Sequence, residues 1–248
     1  MTTESNIEIN QIKNAVQRVC SKKQIYVSNF LNPFEQQLWS NEHQKVDLSF
    51  YGGYPQAERK IVLVKALNDK DVLSMEDYQL VWVAASINAF NSLTHRQVLG
   101  TLMHNGLKRQ VIGDILLTDS SVQIAVKKSI VKFFLIQSFK IRQNILNFKI
   151  ISPRQLIIPK STESLKNIVV ASLRLDAFLA KTINLSRNKV QHLIVQNQVF
   201  VNFKLVNKST YLLTENDLIT VRGFAKIKMK KIVGRSKKGK ILIAYQKV

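Results

Sequence analysis

The sequence predicts an α+β fold: a helical N-terminal segment over 1–50, a central α/β-plait-like domain (ββαββαβ) over 51–160, and a C-terminal domain over 168–248 in which two helices meet a small antiparallel sheet. Three observations carry this reading. Apolar residues recur at helical spacing near both ends of the chain. In the middle, short β-branched runs bounded by turn residues alternate with a capped helix. Ser161, Thr162 and Ser164 mark a polar linker at 161–167. With 46% hydrophobic residues in 248, the chain can build real cores despite a formal net charge of +21, so disorder is excluded.

Ile12, Val16 and Val19 fall on one face of a first helix that ends near Ser21. Asn32-Pro33 supplies an N-cap and a first helical residue for a second, with Phe34 and Leu38 as its expected buried pair. Gly52-Gly53 is a turn signal before the strand candidate Ile61-Val62-Leu63-Val64. Tyr78 to Ile87 is a second apolar run. Thr94 caps a helix that carries Val98, Leu99 and Leu102 and stops at Gly106. Strands are expected at Val111 to Leu116, Ser121 to Val126 and Leu146 to Ile151, with a helix from Lys127 to Phe139. Beyond the linker, Leu175, Phe178 and Leu179 define one helix; Ser186, as N-cap, opens another with Val190, Leu193 and Ile194 inward. Val199 to Asn202, Lys204 to Val206 and Leu218 to Arg222 read as strands. A last hairpin, Ile227 to Val233 with Ile241 to Tyr245, carries a basic tip at Ser236 to Lys240.

Charge is concentrated at the C-terminal end. Residues 168–248 hold 16 Lys+Arg against Asp176, Glu215 and Asp217, which predicts a polyanionic partner for this module. A single cysteine, Cys20, excludes an internal disulfide framework and a Cys-based zinc cluster. His43, His95, His104 and His192 lack metal-ligand spacing, and Gly52-Gly53 lacks the Lys-Ser/Thr of a phosphate loop, so neither metal nor cofactor is expected. No apolar run reaches a membrane-spanning length, and the N-terminus carries no signal-peptide pattern. A soluble monomer without membrane insertion is expected, in the bacterial cytoplasm or a plastid stroma.

Arg174-Leu175-Asp176, Leu185-Ser186-Arg187-Asn188-Lys189, Val199-Phe200-Val201-Asn202 and Asp217-Leu218-Ile219-Thr220-Val221-Arg222-Gly223 follow one another in order. Together they resemble the αL-type RNA-binding domain of ribosomal small-subunit protein four. An RNA phosphate fits the N–H groups that open the second helix, flanked by cations. The candidate RNA-binding residues are Arg174, Ser186, Arg187, Lys189, Asn202, Arg222, Lys237 and Lys238. A triplet like Arg-Leu-Asp carries the catalytic Asp of pseudouridine synthases, but only 72 residues follow Asp176 and the module consumes them. Asp176 therefore reads as structural.

Gly52 to Lys60 (Gly-Gly-Tyr-Pro-Gln-Ala-Glu-Arg-Lys), Thr94 to Gly100 and Gly106 to Ile115 are three further signatures. With the C-terminal module they resemble the YlmH family, including its branch described as photosystem II S4-domain proteins. The resemblance implies a non-catalytic protein that binds rRNA, and tRNA beside it, on the large ribosomal subunit, in ribosome quality control. A photosystem II assembly factor and an RNA-modifying enzyme are the alternatives. Arg59, His95, Arg96 and Arg109 form a possible secondary polar site, for which a structural network is the first reading. The central sheet lacks an aromatic stacking run, so charge is expected to dominate any RNA contact there.

Overall fold

A computed structural model describes residues 3–22, 24–41, 45–67, 75–87, 93–159, 165–236 and 238–247. The chain divides into two compact units, Met1–Pro159 and Lys160–Val248.

The first unit opens with helix α1 (Thr3–Lys22), strand β1 (Tyr26–Leu31), helix α2 (Pro33–Ser40) and strands β2 (Val46–Tyr51) and β3 (Lys60–Ala66). The strands pair antiparallel in the order β1-β3-β2. The N-terminal 50 residues are therefore not purely helical, and β3, expected in the central domain, is the middle strand of this sheet. Its run Ile61 to Val64 is wholly buried because both faces are covered. Val62 and Val64 join Ile12, Ala15, Val16, Val19 and Trp39 in one core, whereas Ile61 and Leu63 face the next sheet. Asn32 caps α2 as its sequence predicts, in a capping box with Glu35. The buried residue of α2 is Trp39, stacked on Tyr26 at 5.6 Å, while Phe34 and Leu38 stay half-buried.

The central part runs β4 (Leu80–Ser86), α3 (His95–His104), β5 (Ile112–Leu117), β6 (Ser121–Lys127), α4 (Val131–Ile136), β7 (Phe139–Ile141), β8 (Asn144–Leu146) and β9 (Lys149–Ile151). The antiparallel order β5-β6-β4-β9 is that of a split βαβ plait, with β7–β8 as an inserted hairpin. The helix expected from Lys127 to Phe139 is shorter: Lys127 completes β6 and Phe139 opens β7. Thr94 caps α3 with a bond from the Gln97 amide, and Gly106 ends it at φ +85°.

Both helices lie on one face of this sheet, where Val98, Leu102 and Phe134 meet Val83, Ile124 and Val126. The other face, carrying Trp82, Leu116 and Ala125, packs on Phe30, Ile61 and Leu63 of the N-terminal sheet. The two sheets thus share a core, and the plait has no open face at its centre. Gly53 shows how tight the fit is. It sits at φ +96°, and a Cβ there would lie 2.5 Å from the buried Trp82 Nε1. Gly53→Ala is expected to cost roughly 2–4 kcal/mol. Gly106→Ala, also at positive φ but with open space around it, is expected to cost only about 1 kcal/mol. Urea unfolding followed by tryptophan fluorescence checks the contrast.

The second unit contains β10 (Lys166–Val170), α5 (Leu175–Thr182), α6 (Arg187–Val195), β11 (Val199–Val201), β12 (Lys204–Leu205), β13 (Leu218–Val221), β14 (Ala225–Arg235) and β15 (Ile241–Lys247). The strands form one sheet in the order β10-β15-β14-β13-β11-β12. Lys166 and Asn167, read as linker, belong to β10; residues 160–164 lie outside the described ones. Leu175, Phe178 and Leu179 of α5 and Val190 and Ile194 of α6 pack on Val199, Val201, Ile219, Ile227 and Ile243. The helices therefore cover one face of the sheet.

Candidate nucleic-acid interface

Packing of α5 on α6 brings together two short polar segments that are eleven residues apart in sequence. Arg174 precedes α5 in an extended conformation, and Asp176 lies in the first helical turn. Ser186 caps α6, its hydroxyl accepting from the Lys189 amide at 3.3 Å. Arg187 then opens α6 directly beside Asp176.

The Asp176 carboxylate is wholly buried and is the hub of the cluster. Arg174 Nε donates to Oδ1 at 3.1 Å and Nη2 to Oδ2 at 3.0 Å. Arg187 Nη2 donates to both oxygens at 3.1 Å, and Gln191 Nε2 adds a bond at 3.3 Å. The two arginine side chains keep 35% and 53% of their surface exposed, so their remaining donors face solvent while their positions are fixed from beneath. Two cations share one anion, leaving the cluster net positive beside the N–H groups of a helix start. Ser186, Arg187 and Lys189 are all exposed.

This arrangement has an acid signature. Burial alone would raise the Asp176 pKa, but the hydrogen bonds from Arg174, Arg187 and Gln191 outweigh it and hold the carboxyl down at about 2. The bonding of Arg174 to Asp176 in turn raises the Arg174 pKa. A folded pKa below the unfolded one stabilises the fold above the ordinary aspartate value near 3.8, and that contribution is lost as pH falls through about 2. The second unit is therefore expected to lose stability between about pH 4 and pH 2, and Asp176→Asn is expected to flatten this dependence. Hydrogen exchange of 165–247 against pH measures it.

The other candidates divide. Asn202 is spent on a corner: at φ +49° its Nδ2 donates to Asp217 Oδ1 at 2.7 Å, and its Oδ1 accepts from the Leu218 amide at 2.9 Å. Asp217 also holds the Thr214 amide at 2.7 Å. Arg222 lies on the sheet face away from the helices, its guanidinium 4.6 Å from the Phe200 ring centroid. Lys226 Nζ stands 5.5 Å from the Phe203 ring. Lys238 is exposed at the hairpin tip, and Lys237 lies outside the described residues. Sequence reasoning missed Gln191, Phe200 and Phe203. The first stands four residues after Arg187 on a helix, and the second alternates with the buried Val199 and Val201, so both had a signal.

Of the secondary polar site, the structure joins Arg59 to Arg109 but leaves His95 and Arg96 in the first turn of α3, on the helix side of the sheet. Arg59 donates to the Phe30 and Ile112 carbonyls at 2.7 and 3.2 Å; Arg109 donates to the carbonyls of Ile112 and Gly113. Burial, and then the neighbouring Arg59, bring the Arg109 pKa down to about 10. Asp114 accepts from Tyr54 Oη at 2.9 Å and from the amides of Glu58 and Arg59 at 2.7 and 3.0 Å. Two of the signature segments thus clasp each other and fasten the N-terminal sheet to β5.

Comparison with known proteins agrees with this architecture. A putative RNA-binding domain in YlmH matches residues 74–152, and the S4 domain matches 173–219. The chain thus carries an S4 domain near its C-terminal end, behind a domain of the kind described for YlmH. The N-terminal domain of YlmH matches residues 4–67. A Bacillus subtilis (strain 168) relative, the ribosome-associated protein quality control protein P2, is 33% identical over 226 residues, covering 89% of this chain and 86% of the relative. The chain belongs to the YlmH family. The fold is shared with the cell division protein ylmH from Streptococcus pneumoniae, at a TM-score of 0.54 and 19% identity over 63% of this chain and 96% of that one. A shorter likeness, 43% over 54 residues, covers 22% of this chain and 18% of an uncharacterized RNA pseudouridine synthase of Mycoplasma genitalium. Among the described residues no helix is long and apolar enough to cross a membrane.

Proposed function

We propose that this protein binds structured RNA on the ribosome, large-subunit rRNA and tRNA, as a non-catalytic factor in ribosome-associated quality control. The observation that carries the reading is the pair of solvent-reaching guanidiniums held by one buried carboxylate at the start of α6. Fixed donors of this kind suit the phosphates of an A-form helix, which is read by backbone and shape. The name of the Bacillus subtilis relative, a ribosome-associated quality control protein, supports the ribosomal setting. Asp176 itself accepts bonds from three side chains and has no solvent-facing surface, so it is a positioning group and not a nucleophile.

The test is RNA affinity against salt. If the cluster and its neighbours neutralise four to six phosphates, log K is expected to fall with log salt at a slope of roughly −3 to −5. Arg187→Ala is expected to weaken binding by roughly 1–3 kcal/mol and to make the slope shallower. An unchanged affinity would remove Arg187 from the interface.

A further inference from the structure

We propose that the cleft beside the Gly52-Gly53 turn is a second RNA site, one that takes an unpaired nucleotide with its base inside and its phosphate at the rim. The proposal rests on the RNA-binding reading above but uses no residue of the C-terminal unit.

A plait that binds single strands ordinarily stacks bases on the open face of its sheet. Here that face is closed: Trp82, Gln123 and Ala125 are all buried, with Trp82 and Ala125 packed against the N-terminal sheet. At the margin of the sandwich the two sheets leave a cavity of about 700 Å³, within the range of small-ligand sites. One wall is the aromatic set Phe50, Tyr51 and Tyr54; the opposite wall is the segment that follows β9, including Leu156. Lys60 and Arg154 bring two positive charges, and among the described residues none that lines the cleft is acidic. Flat apolar walls with unopposed cations fit a planar base joined to a phosphate, and fit a neutral apolar peptide less well.

The walls are held in place before any ligand arrives. Tyr54 Oη is bonded to Asp114 at 2.9 Å, and its ring meets Trp82 edge-on at 6.0 Å. Tyr51 Oη donates to the Gly53 carbonyl at 3.2 Å. On the far side, the Gln123 amide grips the Ile157 backbone twice, donating to its carbonyl and accepting from its N–H, each at 2.9 Å. Little ordering is left for binding to impose. The buried Trp82 indole N–H, unpaired among the described residues, lies directly under Gly53, where a side chain would collide with it. Gly53 therefore keeps the turn flat on Trp82, whereas a side chain at Gly52 would collide with Ala57 and the Arg59 carbonyl.

Photocrosslinking of a short single-stranded oligouridylate containing 4-thiouridine to the full chain tests this, with adducts mapped by mass spectrometry. Adducts are expected within residues 50–60 or 152–158. Arg154→Glu, and Ile158→Trp, which fills the cleft, are each expected to reduce them at least tenfold, with thermal melting confirming that both variants fold. Arg187→Ala is expected to leave these adducts unchanged while weakening structured RNA, which separates this site from the C-terminal one. Adducts confined to other residues, or cleft adducts indifferent to both cleft variants in folded protein, overturn the proposal.

Discussion

Asp114→Ala is expected to lower the unfolding temperature of the first unit by roughly 5–15 °C, the equivalent of about 2–4 kcal/mol. The carboxylate receives the Tyr54 hydroxyl and the Glu58 and Arg59 amides, all from the connection between β2 and β3 of the N-terminal sheet. Alanine leaves three donors without their acceptor, and a charged acceptor is worth more than a neutral one. The full sum of three such bonds is not expected, because Asp114 is only half-buried and water can replace part of what is lost. Asp114→Asn is expected to recover little, since its amide can turn an acceptor towards only one side of the turn. The chain's two tryptophans, Trp39 and Trp82, both lie in this unit, so fluorescence-detected melting reads it without interference from the other. A shift below about 2 °C would mean that the clasp does not hold the sheets together.

Asp176→Ala is expected to have the second large effect, and to split stability from charge. Removing one partner of a buried ion pair costs about 3–5 kcal/mol when both partners are buried. Here the arginines are partly solvated, so about 2–3 kcal/mol is expected from the second unit. The substitution also raises the net charge by one. A surface that merely attracts RNA would bind more tightly as a result. A surface that works through positioned guanidiniums is expected to lose roughly tenfold for structured RNA, as Arg174 and Arg187 come free, while keeping its affinity for unstructured polyanion. Filter binding with a folded rRNA fragment and with poly(U) measures that ratio. Equal gains on both would show that position does not matter.

What the sequence disclosed follows from the range of the interactions involved. The caps at Asn32, Thr94 and Ser186 were legible because each bond reaches only three residues along the chain. The strands β1 and β2 were not, because Ser28 and Asn29 interrupt one apolar pattern and Asp47 and Ser49 dilute the other; their partners in β3 lie between ten and thirty-eight residues further on. The unbroken run Ile61 to Val64 announced burial on both faces, but what covers each face is settled by the two sheets meeting. At the candidate site, Arg174, Ser186, Arg187 and Lys189 were found by motif and charge. That Arg174 and Arg187 both bond one buried carboxylate, Asp176, was not, since it depends on how α5 and α6 pack. Asn202 shows the converse: an exposed polar residue in a motif whose amide is committed to Asp217, fifteen residues away.

The central claim is that the start of α6 is an RNA-binding surface used on the ribosome. Sedimentation of the tagged chain through a sucrose gradient of cell lysate, with and without RNase and beside Arg187→Ala, tests it most directly. The account predicts that the chain travels with the large subunit, that crosslinked reads fall on rRNA and tRNA, and that both RNase and Arg187→Ala return it to the top of the gradient. A chain that stays with the large subunit despite RNase and the substitution, or that never enters the gradient, would contradict it.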